Sequence, residues 1–215
     1  MRFPARGLYA ITQTDNKSAE TVINEVEAAI RGGAVIVQYR DKNPTDAAYL
    51  AKALVKICHQ YKVPLIINDD VELAARVGAD GVHIGKEDGA IALARRHLGN
   101  DAIIGVSCYN FVEQALDAQA QGATYAAFGR FFPSSSKPLA APAKIETLRL
   151  AKQRLTIPIV AIGGILPENG EHLLAAGADL LAVIGGLFNG QPEQSALTYQ
   201  ALFNRQTQAP APGHE

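Results

Sequence analysis

A chain of 215 residues has room for one α/β domain and is short for two. With 48% hydrophobic and 19% charged residues it can bury a sizeable core without disulfides or a structural metal. The formal net charge is −1, with 20 basic and 21 acidic residues interspersed, which excludes the one-signed field that a nucleic-acid or anionic-membrane binder needs.

Cys58 and Cys108 are far apart and match neither a disulfide framework nor a zinc site, so reduced thiols are expected. No run approaches the ~20 consecutive apolar residues of a membrane span. Residues 1–15 lack a hydrophobic signal core followed by small cleavage residues, and the expectation is a soluble, cytoplasmic protein.

Short β-branched and aliphatic runs alternate with segments of helical apolar spacing, the pattern of repeated βα units. In chain order, strands are expected at 8–11, 35–39, 65–67, 81–84, 103–106, 125–128, 159–162 and 180–184. Helices are expected to begin near Ser18, Thr45, Val71, Gly89, Phe111, Lys144, Pro167 and Pro192. A Gly-Ala step precedes four of the strands, at Gly33, Gly78, Gly122 and Gly177, where glycine ends a helix in a left-handed conformation. Eight such units, without a Gly-x-Gly-x-x-Gly after the first strand, favour a closed (β/α)8 TIM barrel over an open doubly wound sheet. The barrel is expected over residues 1–205. Residues 206–215, with Pro210, Pro212 and Gly213, read as a disordered tail.

Active sites of such barrels lie at the carboxyl ends of the strands, so the residues just after each apolar run are the informative ones. Gln38, Arg40 and Lys42 alternate along the second strand and its extension, and therefore share one face. Two cations and an amide there suit a polyphosphate, although a solvated strand end would read the same way. Asn68, Asp69 and Asp70 end the third strand and Asp88 follows the fourth, which is a seat for magnesium, the cation that hard oxygen ligands select. Aspartate also caps helices. Asp69 is assigned to the metal and Asp70 to the cap.

Ser107 ends the fifth strand, and Ser134, Ser135, Ser136 and Lys137 after the sixth offer hydroxyls and an ammonium to an anion, unless the loop is a linker. Gly163-Gly164 and Gly185-Gly186 end the seventh and eighth strands, where this fold often binds phosphate through backbone N–H groups, and where tight turns would equally call for glycine. His59, His97 and His172 sit on helical segments and His214 in the tail, away from the strand ends. His83 falls within the fourth strand and reads as a hydrogen-bonded core group near the site. No Ser–His–Asp arrangement is indicated, and Cys108 lacks an evident base.

Six ordered segments carry a closer likeness: VQYRDK at 37–42, LIINDD at 65–70, GADGVHIGKED at 78–88, IIGVSC at 103–108, FGRFFPSSSK at 128–137 and IVAIGGI at 159–165. In their order and spacing the chain resembles the thiamine phosphate synthase family over nearly its full length. The resemblance implies a transferase of thiamine biosynthesis, with one magnesium ion on Asp69 and Asp88. It implies a pyrimidine pyrophosphate held by Gln38, Tyr39, Arg40, Asp41, Lys42, Asn68, Ser107 and Lys137. It implies a thiazole phosphate held by Ser134, Ser135, Ser136, Gly164, Ile184 and Gly185.

By the same resemblance the reaction starts with loss of pyrophosphate from the pyrimidine's methylene carbon. The thiazole nitrogen, of a substrate that carries or lacks a carboxylate, then captures the cation. Arg40, Lys42, Lys137 and Ser107 are the groups assigned to this chemistry. Three positions depart from the family pattern: Pro138-Leu139-Ala140-Ala141-Pro142 follows the serine loop in place of a further cation and acid, Gly185 replaces a serine, and Tyr109 replaces a histidine. Two other readings remain open, a thiazole tautomerase on the same barrel and a non-catalytic binder of thiamine precursors. The tautomerase would not need the cationic strand end, Asn68 or the metal pair. The expected partners are phosphorylated small molecules, with no nucleic acid or membrane, and the outer helix faces leave a small homo-oligomer open.

Overall fold

Period-two apolar runs form strands and 3.6-period segments form helices, in alternation as far as the eighth strand, which two helices follow. The structure, a computed structural model, describes residues 1–85, 87, 89–133, 139 and 141–207. The strands are β1 (Gly7–Ile11), β2 (Ala34–Tyr39), β3 (Leu65–Asn68), β4 (Gly81–Ile84), β5 (Ile103–Tyr109), β6 (Tyr125–Phe128), β7 (Ile159–Ile162) and β8 (Leu180–Val183). The helices between and after them are α1 (Ala19–Arg31), α2 (Ala47–Gln60), α3 (Val71–Val77), α4 (Ala90–Leu98), α5 (Val112–Ala120), α6 (Ile145–Arg154), α7 (Pro167–Ala176), α8 (Gly185–Phe188) and α9 (Pro192–Thr207). Each strand pairs with its successor in parallel, and β8 pairs with β1, so the sheet closes. The chain is a (β/α)8 barrel.

Closure splits the apolar residues into two cores. Tyr9, Ile36, Ile66, Ile103, Tyr125, Val160 and Leu180 fill the barrel interior. The alternate strand positions, such as Leu8, Val37, Ile67, Val82 and Ile104, pack outward against the inner faces of the helices. Near the amino end of the strands, Phe3 stacks on Tyr125 with ring centroids 4.4 Å apart. Gly105 on β5 makes room for that tyrosine, because a Cβ there would run into the Tyr125 ring.

Local chemistry sets the ends of the elements. Ser18 caps α1 by accepting from the Thr21 N–H, and Asp46 caps α2 by accepting from Tyr49. Helix α2 thus begins two turn residues later than Thr45 suggested. Asp70 caps α3, its carboxylate accepting from the Leu73 N–H at 2.8 Å, the role read for it in the sequence. Gly33, Gly78, Gly122 and Gly177 all take positive φ, which lets the chain leave each helix and turn into a strand.

Most strand ends differ from expectation by a residue at most, and three differences are of more consequence. Strand β5 runs on to Tyr109, with an irregularity in its pairing to β6 between Ser107 and Tyr109, so Ser107 lies inside the strand. The eighth strand ends at Val183, one residue short of expectation, and after Ile184 the short helix α8 takes up Gly185 and Gly186, the pair expected at a phosphate-binding strand end or a tight turn. Helix α9 continues through Gln206 and Thr207, past the expected boundary at Arg205, and the rest of the proposed tail lies outside the described residues. Among the described residues no helix is long and apolar enough to cross a membrane. Both cysteines are buried free thiols.

Candidate active site

Alternation on β2 builds the first wall. Gln38 is 3% exposed inside the barrel and Arg40 follows it at the rim; both line a cavity of about 980 Å³ at the carboxyl end of the strands. Thr12, just after β1, is nearly buried and grips the Arg40 backbone twice. Its hydroxyl donates to the Arg40 carbonyl and accepts from the Arg40 N–H, both at 2.9 Å. That clamp was not singled out in the sequence, because it joins two loops 28 residues apart. Thr12→Val keeps the shape but strips both bonds, and is expected to cost about 1–3 kcal/mol of stability in urea denaturation.

The same alternation sends the intervening residues outward. Tyr39 is buried against the helices, and its hydroxyl donates to Asp41 at 3.2 Å. Asp41 also accepts from the Asn43 N–H at 3.1 Å, forming a turn outside the cavity lining. The Tyr39 hydroxyl is pushed above its ordinary range, by burial first and the neighbouring Asp41 charge second. Lys42 is exposed beyond the lining residues. The structure therefore divides the segment 38–42 into two cavity residues and three that surround them.

On the adjacent arc, Asn68 and Asp69 line the cavity at the end of β3. Asp69 has φ +61°, a left-handed conformation that costs a non-glycine residue about 1–2 kcal/mol and that Asp and Asn tolerate best. Two bonds hold it there. Its N–H donates to the His83 carbonyl at 2.8 Å, and the Asn68 amide donates to its carboxylate at 3.0 Å. Glu87, on the loop after β4, lines the same cavity and was not singled out in the sequence. Ser107 and Tyr109 on β5 complete this side, Tyr109 with φ +54°.

The second arc is glycine-rich. Gly163 and Gly164 follow β7 with φ +106° and +62°, and a side chain on Gly164 would meet the Pro133 carbonyl. Four successive carbonyls in this stretch are already occupied. The Ile162 carbonyl accepts from the Phe131 N–H at 3.2 Å, and Gly163 from Phe132 at 3.0 Å. Gly164 accepts from the Asn169 amide at 3.1 Å, and Ile165 from the Tyr199 hydroxyl at 2.8 Å. Turned toward these partners, the carbonyls lend less negative potential to the cavity, which favours an anion held by backbone N–H groups. Ile184 and Gly185 line the cavity next to it, with Arg130 from the loop after β6. Asp88, Ser134, Ser135, Ser136, Lys137, Pro138 and Ala140 lie outside the described residues.

The histidines separate as expected. His97 and His172 are exposed, and His59 bonds Asp80 at 2.8 Å on the outside of the barrel. His83 alone of the described histidines lines the cavity, hydrogen-bonded to Tyr125 and Ser107, each at 2.8 Å.

A parallel barrel with a cationic, amide-bearing arc and a glycine arc around one cavity at its carboxyl rim offers the groups that hold phosphorylated small molecules in enzymes of this fold. The family described as thiamine monophosphate synthase matches residues 8–187. A thiamine-phosphate synthase of Marinobacter nauticus is 52% identical over 202 residues, 93% of this chain and 90% of that protein. One of Nitrosococcus oceani is 50% identical over 193 residues, 89% of each. Among solved structures, the thiamine phosphate pyrophosphorylase of Pyrococcus furiosus superposes with a TM-score of 0.83 at 33% identity, covering 94% of this chain and 96% of that one. The chain belongs to the thiamine monophosphate synthase family, and by that membership it is a transferase.

Proposed function

We propose that this chain joins a pyrimidine carried on a pyrophosphate to a thiazole carried on a phosphate, releasing pyrophosphate and thiamine phosphate. The observation that supports this most is the meeting of Gln38, Arg40, Asn68, Asp69 and Ser107 with Gly164, Ile184 and Gly185 around one cavity of about 980 Å³. Both substrates are anionic, and the two arcs offer each its own grip.

The pyrimidine pyrophosphate lies along the first arc. Arg40, its backbone clamped by Thr12, forks onto phosphate oxygens, and Lys42 and Lys137 add point charges. Gln38, Asn68 and Ser107 orient the remainder, flanked by Tyr39 and Asp41, which brace the strand end. The thiazole phosphate rests on Ser134, Ser135 and Ser136, on Gly164, and on Ile184 with Gly185.

Asp69 fits a magnesium ion on chemical grounds. It is a hard oxygen donor at the rim, its carboxylate steered by the Asn68 amide. Magnesium takes one or two carboxylates and fills its shell with substrate phosphates. Asp69 and Asp88 would hold it, where it would supply positive charge against the pyrophosphate.

The methylene–oxygen bond breaks with its electron pair leaving on the pyrophosphate, whose growing charge Arg40, Lys42 and Lys137 neutralise. The lone pair of the thiazole nitrogen then closes the new carbon–nitrogen bond, so the protein contributes no covalent nucleophile. Holding the two rings in register removes the two-body cost of that step, up to about 7–11 kcal/mol. Supplied with both substrates and magnesium, the purified chain is expected to release pyrophosphate and thiamine phosphate in equal amounts. Tight binding of either substrate with no product would overturn the reading in favour of a binder.

Gly185 lacks the hydroxyl of the family pattern, and Asn189 stands in for it. A Cβ at Gly185 would come 2.9 Å from Asn189 Nδ2, and the Asn189 oxygen is engaged by the Gln13 amide at 3.0 Å, which turns the NH2 group toward Gly185. Asn189→Ala is expected to raise the KM for thiazole phosphate about fivefold, the worth of one ordinary hydrogen bond, with the pyrimidine KM unchanged in steady-state kinetics.

A further inference from the structure

The barrel interior holds an unbroken polar chain drawn from five strands. Gln38 Nε2 on β2 donates to Tyr9 Oη on β1 at 2.9 Å. Tyr9 Oη lies 2.7 Å from Tyr125 Oη on β6. Tyr125 Oη lies 2.8 Å from His83 Nδ1 on β4, and His83 Nε2 lies 2.8 Å from Ser107 Oγ on β5. The chain starts at a buried amide and ends at a hydroxyl on the cavity lining.

Counting protons sets its direction. Gln38 already donates into the Tyr9 oxygen, so the Tyr9 hydroxyl proton goes to the Tyr125 oxygen. Tyr125 then turns its own proton to His83 Nδ1. The imidazole therefore carries its proton on Nε2 and donates to Ser107 Oγ. The opposite order would leave the hydroxyl proton of Tyr9, a residue 1% exposed, without an acceptor, which buried polar groups rarely tolerate. Burial keeps both phenols protonated, pushing Tyr9 up to about 12 and Tyr125 well above its ordinary value. Stacking of Tyr125 on Phe3, and of His83 on Tyr125 at 5.6 Å, holds the rings in place.

We infer that Tyr9, Tyr125 and His83 are positioning residues for the coupling reaction: they fix the Nε2–H form of His83 and so oblige Ser107 to act as a donor toward the pyrophosphate. A serine hydroxyl can otherwise donate or accept, whereas pyrophosphate oxygens only accept. With its oxygen occupied by His83, Ser107 has its proton left for the substrate. The inference rests on the proposed placing of the pyrimidine pyrophosphate against Ser107.

The test joins a spectroscopic and a kinetic arm. In protein labelled with 15N-histidine, the signals missing from His83→Asn identify His83. The wild type is expected to show Nε2 protonated and Nδ1 bare, and Tyr125→Phe to lose that preference. Tyr125→Phe is expected to lower kcat about tenfold while leaving the KM for thiazole phosphate unchanged. In a Ser107→Ala background the same change is expected to have no further effect, because the hydroxyl it orients is gone. Should Tyr125→Phe fail to fold, Tyr9→Phe takes its place in the same cycle, with a smaller loss expected.

Protonation of Nδ1 in the wild type, alone or with Nε2, overturns the proton order whatever the activity. Losses that multiply in the double variant overturn the link to Ser107 and leave a structural role. A wild type with the proton on Nε2 but no coupling activity contradicts the proposed reaction, and with it the coupling role, while the proton order stands.

Discussion

Asp69→Asn is expected to lower the rate of thiamine phosphate formation by about 100-fold, on the scale of losing one group that stabilises transition-state charge. The substitution isolates the charge. Asn adopts the left-handed backbone as readily as Asp, and the φ of +61° at this position makes that the deciding property. Thermal stability is therefore expected to stay at the wild-type value, whereas Asp69→Ala adds about 1–2 kcal/mol of backbone strain and would mix the two effects. Activity of Asp69→Asn is expected to keep rising with magnesium over a range in which the wild type is saturated. A variant that turns over at the wild-type rate in limiting magnesium would remove Asp69 from the metal site.

Arg40→Ala carries the second large effect, a loss of about 100–1,000-fold in kcat/KM for the pyrimidine pyrophosphate. Arg40 is the described cation that both lines the cavity and has its backbone locked by a reciprocal pair of bonds to Thr12. Arg40→Lys is expected to recover only part of the loss, since an ammonium restores charge without the planar fork. The KM for thiazole phosphate should move little, because that substrate is assigned to the glycine arc. Steady-state kinetics with each substrate varied in turn separates the two arms. Equal rises in both KM values would contradict the division of the rim.

The barrel was legible because its information is local. Period-two runs, the Gly-Ala steps before four strands and the caps at Ser18 and Asp70 each act within a few residues. The inward face of Gln38 and Arg40 followed from the same alternation, which also explains why Tyr39 and Asp41 turn away. Ser107 was placed just past its strand instead of within it, because the irregularity between β5 and β6 depends on pairing with a neighbour 20 residues on. Helix α8 was hidden by its size, one turn starting on two glycines. The Thr12 clamp, the Asn189 amide and the Tyr9–Tyr125–His83 chain are contacts between distant elements. Periodicity and spacing carry no trace of which side chains meet across a closed barrel.

Division of one rim between two anions is the claim on which the rest depends, and a crystal structure of the chain with thiamine phosphate, pyrophosphate and magnesium tests it most directly. The predicted result puts pyrophosphate against Arg40 and Ser107, with the metal on Asp69, and the phosphate ester against Gly164, Ile184 and Gly185. Both anions bound on one arc, or pyrophosphate bound away from Arg40 and Asp69, would contradict it.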